Sequence, residues 1–272
     1  MIDIKDIQVR LGSAIIFLII ILGGLYWNQY SLIALFLIIC LGCSFELLKI
    51  TLTSEQKGYL WFGVLTSCLP TLMYLIYKFN FFHSVFVLFF LIICWILILW
   101  ITTLRRSPFD GNDIIAKILL AVFYVGVPIF CIVDIGSGIK YQPGLILGIF
   151  ILIWTNDTMA YMCGSMFGRS KLAPHISPNK TVEGTLGGII FCIIAGYINA
   201  IWYPEYSIAI WCTIACLVGV FGTSGDLIES ALKRHYGLKD SGKIMAGHGG
   251  FLDRFDSFLF ISPFLYLLLL LI

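Results

Sequence analysis

SLIALFLIICLGCSFELLKI, residues Ser31–Ile50, is a run of twenty residues with two charges, Glu46 and Lys49, both near one end. At about 1.5 Å per residue a helix of this length spans about 30 Å, the thickness of a bilayer's hydrocarbon core. A helix satisfies its own backbone N–H and C=O groups, which hydrocarbon cannot do. The run lacks the period-two alternation of a barrel strand. It therefore predicts a membrane-spanning helix, weakened only by Glu46.

Eight further runs resemble it: about 11–27, 59–77, 82–104, 114–135, 143–166, 185–203, 207–235 and 255–272. Asp134 weakens the fifth run in chain order, and Asn156 and Asp157 lie well inside the sixth. The eighth, 207–235, turns polar after Gly222 and is long enough to project from the lipid. The whole chain agrees with these runs. Of its 272 residues, 60% are hydrophobic and 12% are charged, about half the charged share of a soluble domain. Its mean hydropathy is +0.99. The expected fold is an all-α integral membrane protein of about nine transmembrane helices with a polar, cytoplasm-facing active-site cavity.

Charge tests the count. Nine spans put Lys5, Arg10, Lys49, Lys57, Arg105, Arg106, Lys117, Arg169, Lys171, Lys180, Lys233, Arg234, Lys239, Lys243 and Arg254 on one side. Only Lys78 and Lys140 fall on the other, a division of 15 against 2 among the 17 Lys and Arg residues. The positive-inside rule makes the first side cytoplasmic. Short connections predict one membrane domain, 1–272. Within it, residues 1–140 are N-terminal helices that face lipid or pack, and 141–272 are catalytic helices and cytoplasmic loops. The polar stretch Ile2–Arg10 and the missing small-residue cleavage site do not look like a cleavable signal. All nine cysteines lie within or beside apolar runs. The Cys40–Cys43 pair has no second pair and no nearby His, so packing is the expected role.

Three polar clusters carry the candidate chemistry. The first contains Asn156 and Asp157, which are costly in lipid and must face helices or a water-filled cavity. The second is Ser177-Pro-Asn-Lys180-Thr181-Val-Glu183-Gly184. Ser177 and Pro178 read as a helix entry, Glu183 suits its first turn, and Lys180 and Thr181 suit an anion beside free N–H groups. The third runs from Gly225-Asp226 to Asp256. Asp226, Glu229, Ser230 and Lys233 recur at helical spacing on one face, and Asp253 and Asp256 share another. Paired carboxylates suit a hard cation such as Mg²⁺, while Lys233, Arg234, Lys239 and Arg254 suit phosphate. Gly249 and Gly250 permit a turn close to a ligand. Together these describe a site for a divalent metal and a polyphosphate, and so phosphoryl or nucleotidyl transfer.

The run Ser230-Ala-Leu-Lys233-Arg234, Lys239-Asp240-Ser-Gly242 and His248-Gly249-Gly250-Phe-Leu-Asp253-Arg254-Phe-Asp256 resembles the diagnostic motif of phosphatidate cytidylyltransferases. The blocks around Asn156-Asp157 and Ser177-Pro178 are similar to that family too. The resemblance covers the C-terminal half in detail. It implies CMP transfer from CTP to phosphatidic acid, giving CDP-diacylglycerol and pyrophosphate for phospholipid synthesis. It implies Mg²⁺ at Asp226, Asp253 and Asp256, with K⁺ beside it. It implies catalytic roles for Asp226, Lys233, Arg234, Asp253 and Asp256. Substrate contacts would come from Asn156, Asp157, Ser177, Lys180, Thr181, Glu183, Ser230, Lys239, Asp240, His248, Gly249, Gly250 and Arg254. The expected partners are CTP, phosphatidic acid, membrane lipids and a second copy of the chain, with no nucleic acid, in a bacterial-type plasma membrane. The rivals are another CTP-dependent membrane lipid transferase or kinase and a cation-coupled transporter. Confinement of the polar clusters to the C-terminal half argues against the transporter.

Overall fold

The structure is a computed structural model and describes residues 4–78, 114–242 and 249–272. The expected fourth span at 82–104, Arg105, Arg106, Lys243 and His248 lie outside the described residues.

The described chain is helical apart from one hairpin. Its helices are α1 (Ile4–Tyr26), α2 (Gln29–Thr51), α3 (Leu60–Ser67), α4 (Leu69–Tyr77), α5 (Ile114–Ala121), α6 (Val127–Ser137), α7 (Pro143–Phe167), α8 (Val182–Trp202), α9 (Ile208–His235) and α10 (Leu252–Leu270). A 3₁₀ turn (Ser54–Tyr59) leads into α3, and a π turn (Val122–Gly126) joins α5 to α6. Among the described residues, six helical segments are long and apolar enough to cross a membrane: Gln29–Thr51, Ser54–Leu75, Ile114–Ser137, Pro143–Phe167, Val182–Trp202 and Ile208–His235. The protein is thus an all-α membrane protein.

Contacts divide the described residues into two compact units. Leaving aside the last two residues, one comprises Met1–Tyr141 with Asp240–Arg254, and the other comprises Gln142–Lys239 with Phe255–Leu270.

In the first unit, local chemistry sets the helix ends. Asn28 caps α2 by accepting from Tyr30 N and Ser31 N, each at 2.8 Å, and Ser31 Oγ accepts in return from Asn28 N at 2.9 Å. This reciprocal box satisfies donors that the first turn leaves free. The third span breaks at Cys68, where Pro70 opens α4, because proline supplies no N–H to continue the preceding helix. Beside the break, a side chain on Gly126 would collide with the Ser67 carbonyl. Among polar contacts, buried Lys117 donates to Gln56 Oε1 at 2.8 Å.

In the second unit, α7, α8 and α9 approach one another through glycine. A Cβ on Gly188 would lie 2.9 Å from the Asn156 carbonyl oxygen, and one on Gly196 would lie 2.9 Å from the Trp211 carbonyl oxygen. Small residues permit such backbone approach between membrane helices. Aromatic packing adds α10: Phe150 stacks on Phe258 at 4.5 Å, and Phe221 on Phe264 at 4.0 Å.

The hairpin corrects the expected helix entry at Ser177-Pro178. Residues Lys171–Ala173 (β1) pair antiparallel with Ser177–Thr181 (β2). The backbone from Ser177 onward is therefore extended, and α8 starts only at Val182. Thr181 is the true cap, accepting from Gly184 N at 3.1 Å. Ser-Pro suits either an extended segment or a helix start, so pairing with β1 decided between them.

Candidate active site

The cytoplasmic end expected of α9 carries Asp226, Glu229, Ser230 and Lys233 at helical spacing. Gly225 lets the first turns of α10 approach this face: a Cβ there would lie 2.7 Å from Phe260 Cβ and 3.2 Å from the Asp256 carbonyl oxygen. Ser257 fastens the contact by donating from Oγ to the Gly222 carbonyl at 3.0 Å. The result is a group of three carboxylates, Asp226, Glu229 and Asp256, each offering an oxygen within 4.8 Å of the others.

Two lysines answer this charge. Lys180 Nζ lies 2.5 Å from Asp226 Oδ2 and donates to the Thr223 carbonyl at 3.4 Å. Lys233 Nζ lies 2.6 Å from Glu229 Oε2. Glu229 is fully buried and Lys233 nearly so, so this pair is shielded from water. Ser230 Oγ donates to Asp226 Oδ1 at 3.2 Å, and Ser257 N donates to Asp256 Oδ1 at 2.6 Å. Three hard oxygen donors in one group fit a divalent cation such as Mg²⁺. The ammonium groups beside them fit phosphate oxygens.

Other expected site residues have definite places. Asn156 is buried, and a Cβ on Gly188 would meet its Oδ1 at 2.8 Å; Asp157, next along α7, is exposed. Glu183 accepts from Arg169 N and Ser170 N at 3.1 Å each, so its carboxylate fastens the hairpin's first strand. Arg234 is exposed and donates to the Leu238 carbonyl at 2.9 Å, closing the end of α9 rather than joining the carboxylate group. Lys239, Asp240 and Arg254 are exposed.

The first unit holds the rest of the motif. Asp253 accepts from Gly250 N at 2.7 Å and from Ser241 N at 3.1 Å. Gly249 has φ +83, a conformation that side-chain-bearing residues rarely adopt.

The structure thus brings together Lys180, Asp226, Ser230, Lys233 and Asp256. It adds Glu229, which sequence spacing had placed on the same face but which no expected role had included. Its signal was the i,i+4 spacing to Lys233.

Comparison with known proteins agrees in kind. The chain matches the cytidylyltransferase family over residues 8–272. It is 44% identical over 172 residues to the phosphatidate cytidylyltransferase of Staphylococcus saprophyticus, covering 62% of this chain and 64% of that protein. It is 43% identical over 175 residues to the phosphatidate cytidylyltransferase of Bacillus subtilis strain 168, covering 64% and 65%. That of Staphylococcus aureus strain COL is 41% identical over 177 residues, covering 64% and 66%. The matched part is therefore a little under two thirds of each relative's length.

Proposed function

The chain belongs to the cytidylyltransferase family, and we propose that it transfers CMP from CTP to phosphatidic acid, giving CDP-diacylglycerol and pyrophosphate. The observation that carries this reading is the facing of Lys180 and Lys233 onto the Asp226–Glu229–Asp256 group, a combination suited to a cation-bound polyphosphate. The relatives' name, phosphatidate cytidylyltransferase, supports a lipid phosphate as the acceptor.

An oxygen of the lipid phosphate attacks the α-phosphorus of CTP in line. The bond from that phosphorus to the α–β bridging oxygen breaks, and pyrophosphate leaves with the electron pair. A phosphate monoester has a second pKa of about 6, so it is largely ionised at neutral pH and needs no strong base. Repulsion between the two anions and charge on the leaving group make the barrier. Lys180 lowers both by turning its ammonium group from Asp226 to phosphate, and Lys233, held by Glu229, adds a fixed positive charge. By the family resemblance, Arg234, Lys239 and Arg254 supply further positive charge for the phosphates. Asp226 and Asp256 would hold Mg²⁺, and the family resemblance adds Asp253 as a further ligand; Glu229 keeps Lys233 in place. The bound cation would supply Lewis-acid stabilisation of phosphate charge. K⁺ beside Mg²⁺ and pairing of two chains belong to the same reading and rest on family resemblance.

The site would face the cytoplasm of a bacterial plasma membrane, with nine spans in all. The distribution of Lys and Arg supports this side. In a background without native cysteines, Ala173→Cys should react with a membrane-impermeant reagent from the cytoplasm, and Ile272→Cys from the opposite face. Cytoplasmic reaction at residue 272 would sink the nine-span arrangement.

The decisive assay supplies phosphatidic acid and CTP labelled at either the α or the γ phosphate. Transfer of the α label to lipid is expected. Transfer of the γ label would identify a lipid kinase, and transfer of neither would remove the proposal.

A further inference from the structure

We propose that Glu46, a buried acid in α2, is a positioning residue for this reaction, holding the segment that presents Asp253. Glu46 is 1% exposed, and a carboxyl group so placed needs hydrogen-bond partners. Among the described residues, its donors come from the motif and not from neighbouring spans. Glu46 Oε2 accepts from Ser241 Oγ at 2.6 Å and from Leu252 N, at the start of α10, at 2.8 Å. Ser241 then spends its own N–H on Asp253, as does Gly250. Ser241 therefore links the two carboxylates, and Glu46 reaches Asp253 through it.

Two motif glycines follow from the same carboxylate. A Cβ on Gly250 would collide with Ser241 Oγ and Glu46 Oε2. One on Gly242 would collide with Glu46 Oε1 and lie 2.8 Å from its carboxyl carbon. One turn earlier on α2, a Cβ on Gly42 would lie 2.8 Å from the Phe251 ring. The face made by Gly42 and Glu46 is thus shaped to Ser241, Gly242 and residues 250–252. It holds these residues by side-chain chemistry that an ordinary lipid-facing span does not carry.

The inference rests on the reading of Asp253 as a metal ligand, so its test uses one readout tied to that reading and one independent of it. In full-length enzyme, Glu46→Ala should raise the Mg²⁺ concentration for half-maximal CMP transfer by about tenfold or more, as loss of a group that orients a ligand does. Glu46→Gln should recover most of this, since one amide oxygen can accept from both Ser241 Oγ and Leu252 N. Adding Ser241→Ala to Glu46→Ala should cost nothing further, because both act through one link. If Glu46→Ala does not fold, Ser241→Ala alone should shift the Mg²⁺ dependence in the same direction by less. The independent readout is amide hydrogen exchange, which should quicken at Leu252 in Glu46→Ala. A folded Glu46→Ala enzyme with wild-type Mg²⁺ dependence overturns the positioning role, as does unchanged exchange at Leu252. Should the wild-type protein transfer no CMP at all, the proposed function falls, and exchange at Leu252 alone decides whether Glu46 holds the segment.

Discussion

The carboxylates of the two units meet their donors in different ways. In the second unit, Asp226 and Glu229 are met by the ammonium groups of Lys180 and Lys233. In the first unit, Glu46 and Asp253 are met by a serine hydroxyl and by the backbone N–H groups of Ser241, Gly250 and Leu252. An ammonium on a long side chain can exchange its carboxylate for a phosphate oxygen, leaving the carboxylate to a metal ion. A backbone N–H cannot leave without moving the chain. The first arrangement suits chemistry in which charges change partners, and the second suits holding the start of α10 still.

That contrast is open to measurement, beginning with the largest effect. Asp226→Asn should lower CMP transfer by about 1,000-fold, the upper range for losing one group that stabilises developing charge. Removing the divalent cation with EDTA should do the same, and helical circular dichroism should be unchanged in both cases. Near-normal turnover of Asp226→Asn at limiting Mg²⁺ would break the assignment of this group as the exchangeable one.

Lys233→Ala should act on both rate and stability. It strips a buried acid of its cation, which typically costs about 3–5 kcal/mol. Phosphate stabilisation is lost with it, so turnover per folded molecule should also fall, by about 100-fold. A double change, Glu229→Gln with Lys233→Met, should regain much of the stability but not the rate. Recovery of both would mean that the pair serves folding alone.

Ser241→Ala sharpens the other side of the comparison. Loss of a hydrogen bond to a buried carboxylate should lower stability by about 2 kcal/mol, read from a denaturation midpoint. Its effect on turnover at saturating Mg²⁺ should be far smaller than that of Asp226→Asn. At the helix end between hairpin and α8, Thr181→Ala should cost about 1 kcal/mol through loss of the cap. Smallest of all, Lys57→Ala removes an exposed charge and should change stability by no more than about 0.5 kcal/mol, with turnover retained. Equal losses for Lys57→Ala and Lys233→Ala would show that the basic residues serve topology only.

Much of this was legible in the chain because it depends on neighbours in sequence. Apolar runs of sufficient length predict helices wherever they occur, and α1, α2 and α5 to α10 lie where those runs lie. The face carrying Asp226, Ser230 and Lys233 follows from helical spacing alone. Other features were not legible. Ser177-Pro178 fits a helix entry and a strand equally well, and only pairing with Lys171–Ala173 made it a strand. The break at Cys68 was signalled by Pro70, yet the run of apolar residues around it reads as one unbroken span.

Glu46 marks the boundary most clearly. In the sequence it is a defect near the end of an apolar run, because a carboxylate there only lowers the hydropathy. Its bond to Ser241 joins residues 195 apart in sequence, and its bond to Leu252 joins residues 206 apart. The sequence by itself determined the membrane character, the helices and the residue types of the motif, since each rests on composition or on spacing within one helix. Only the tertiary structure decided that Glu229 completes the carboxylate group with Asp256, and that Glu46 bonds to Ser241 and Leu252. The physical reason is that a buried charge takes whatever donors packing brings to it, and packing between distant segments leaves no periodic trace in either one.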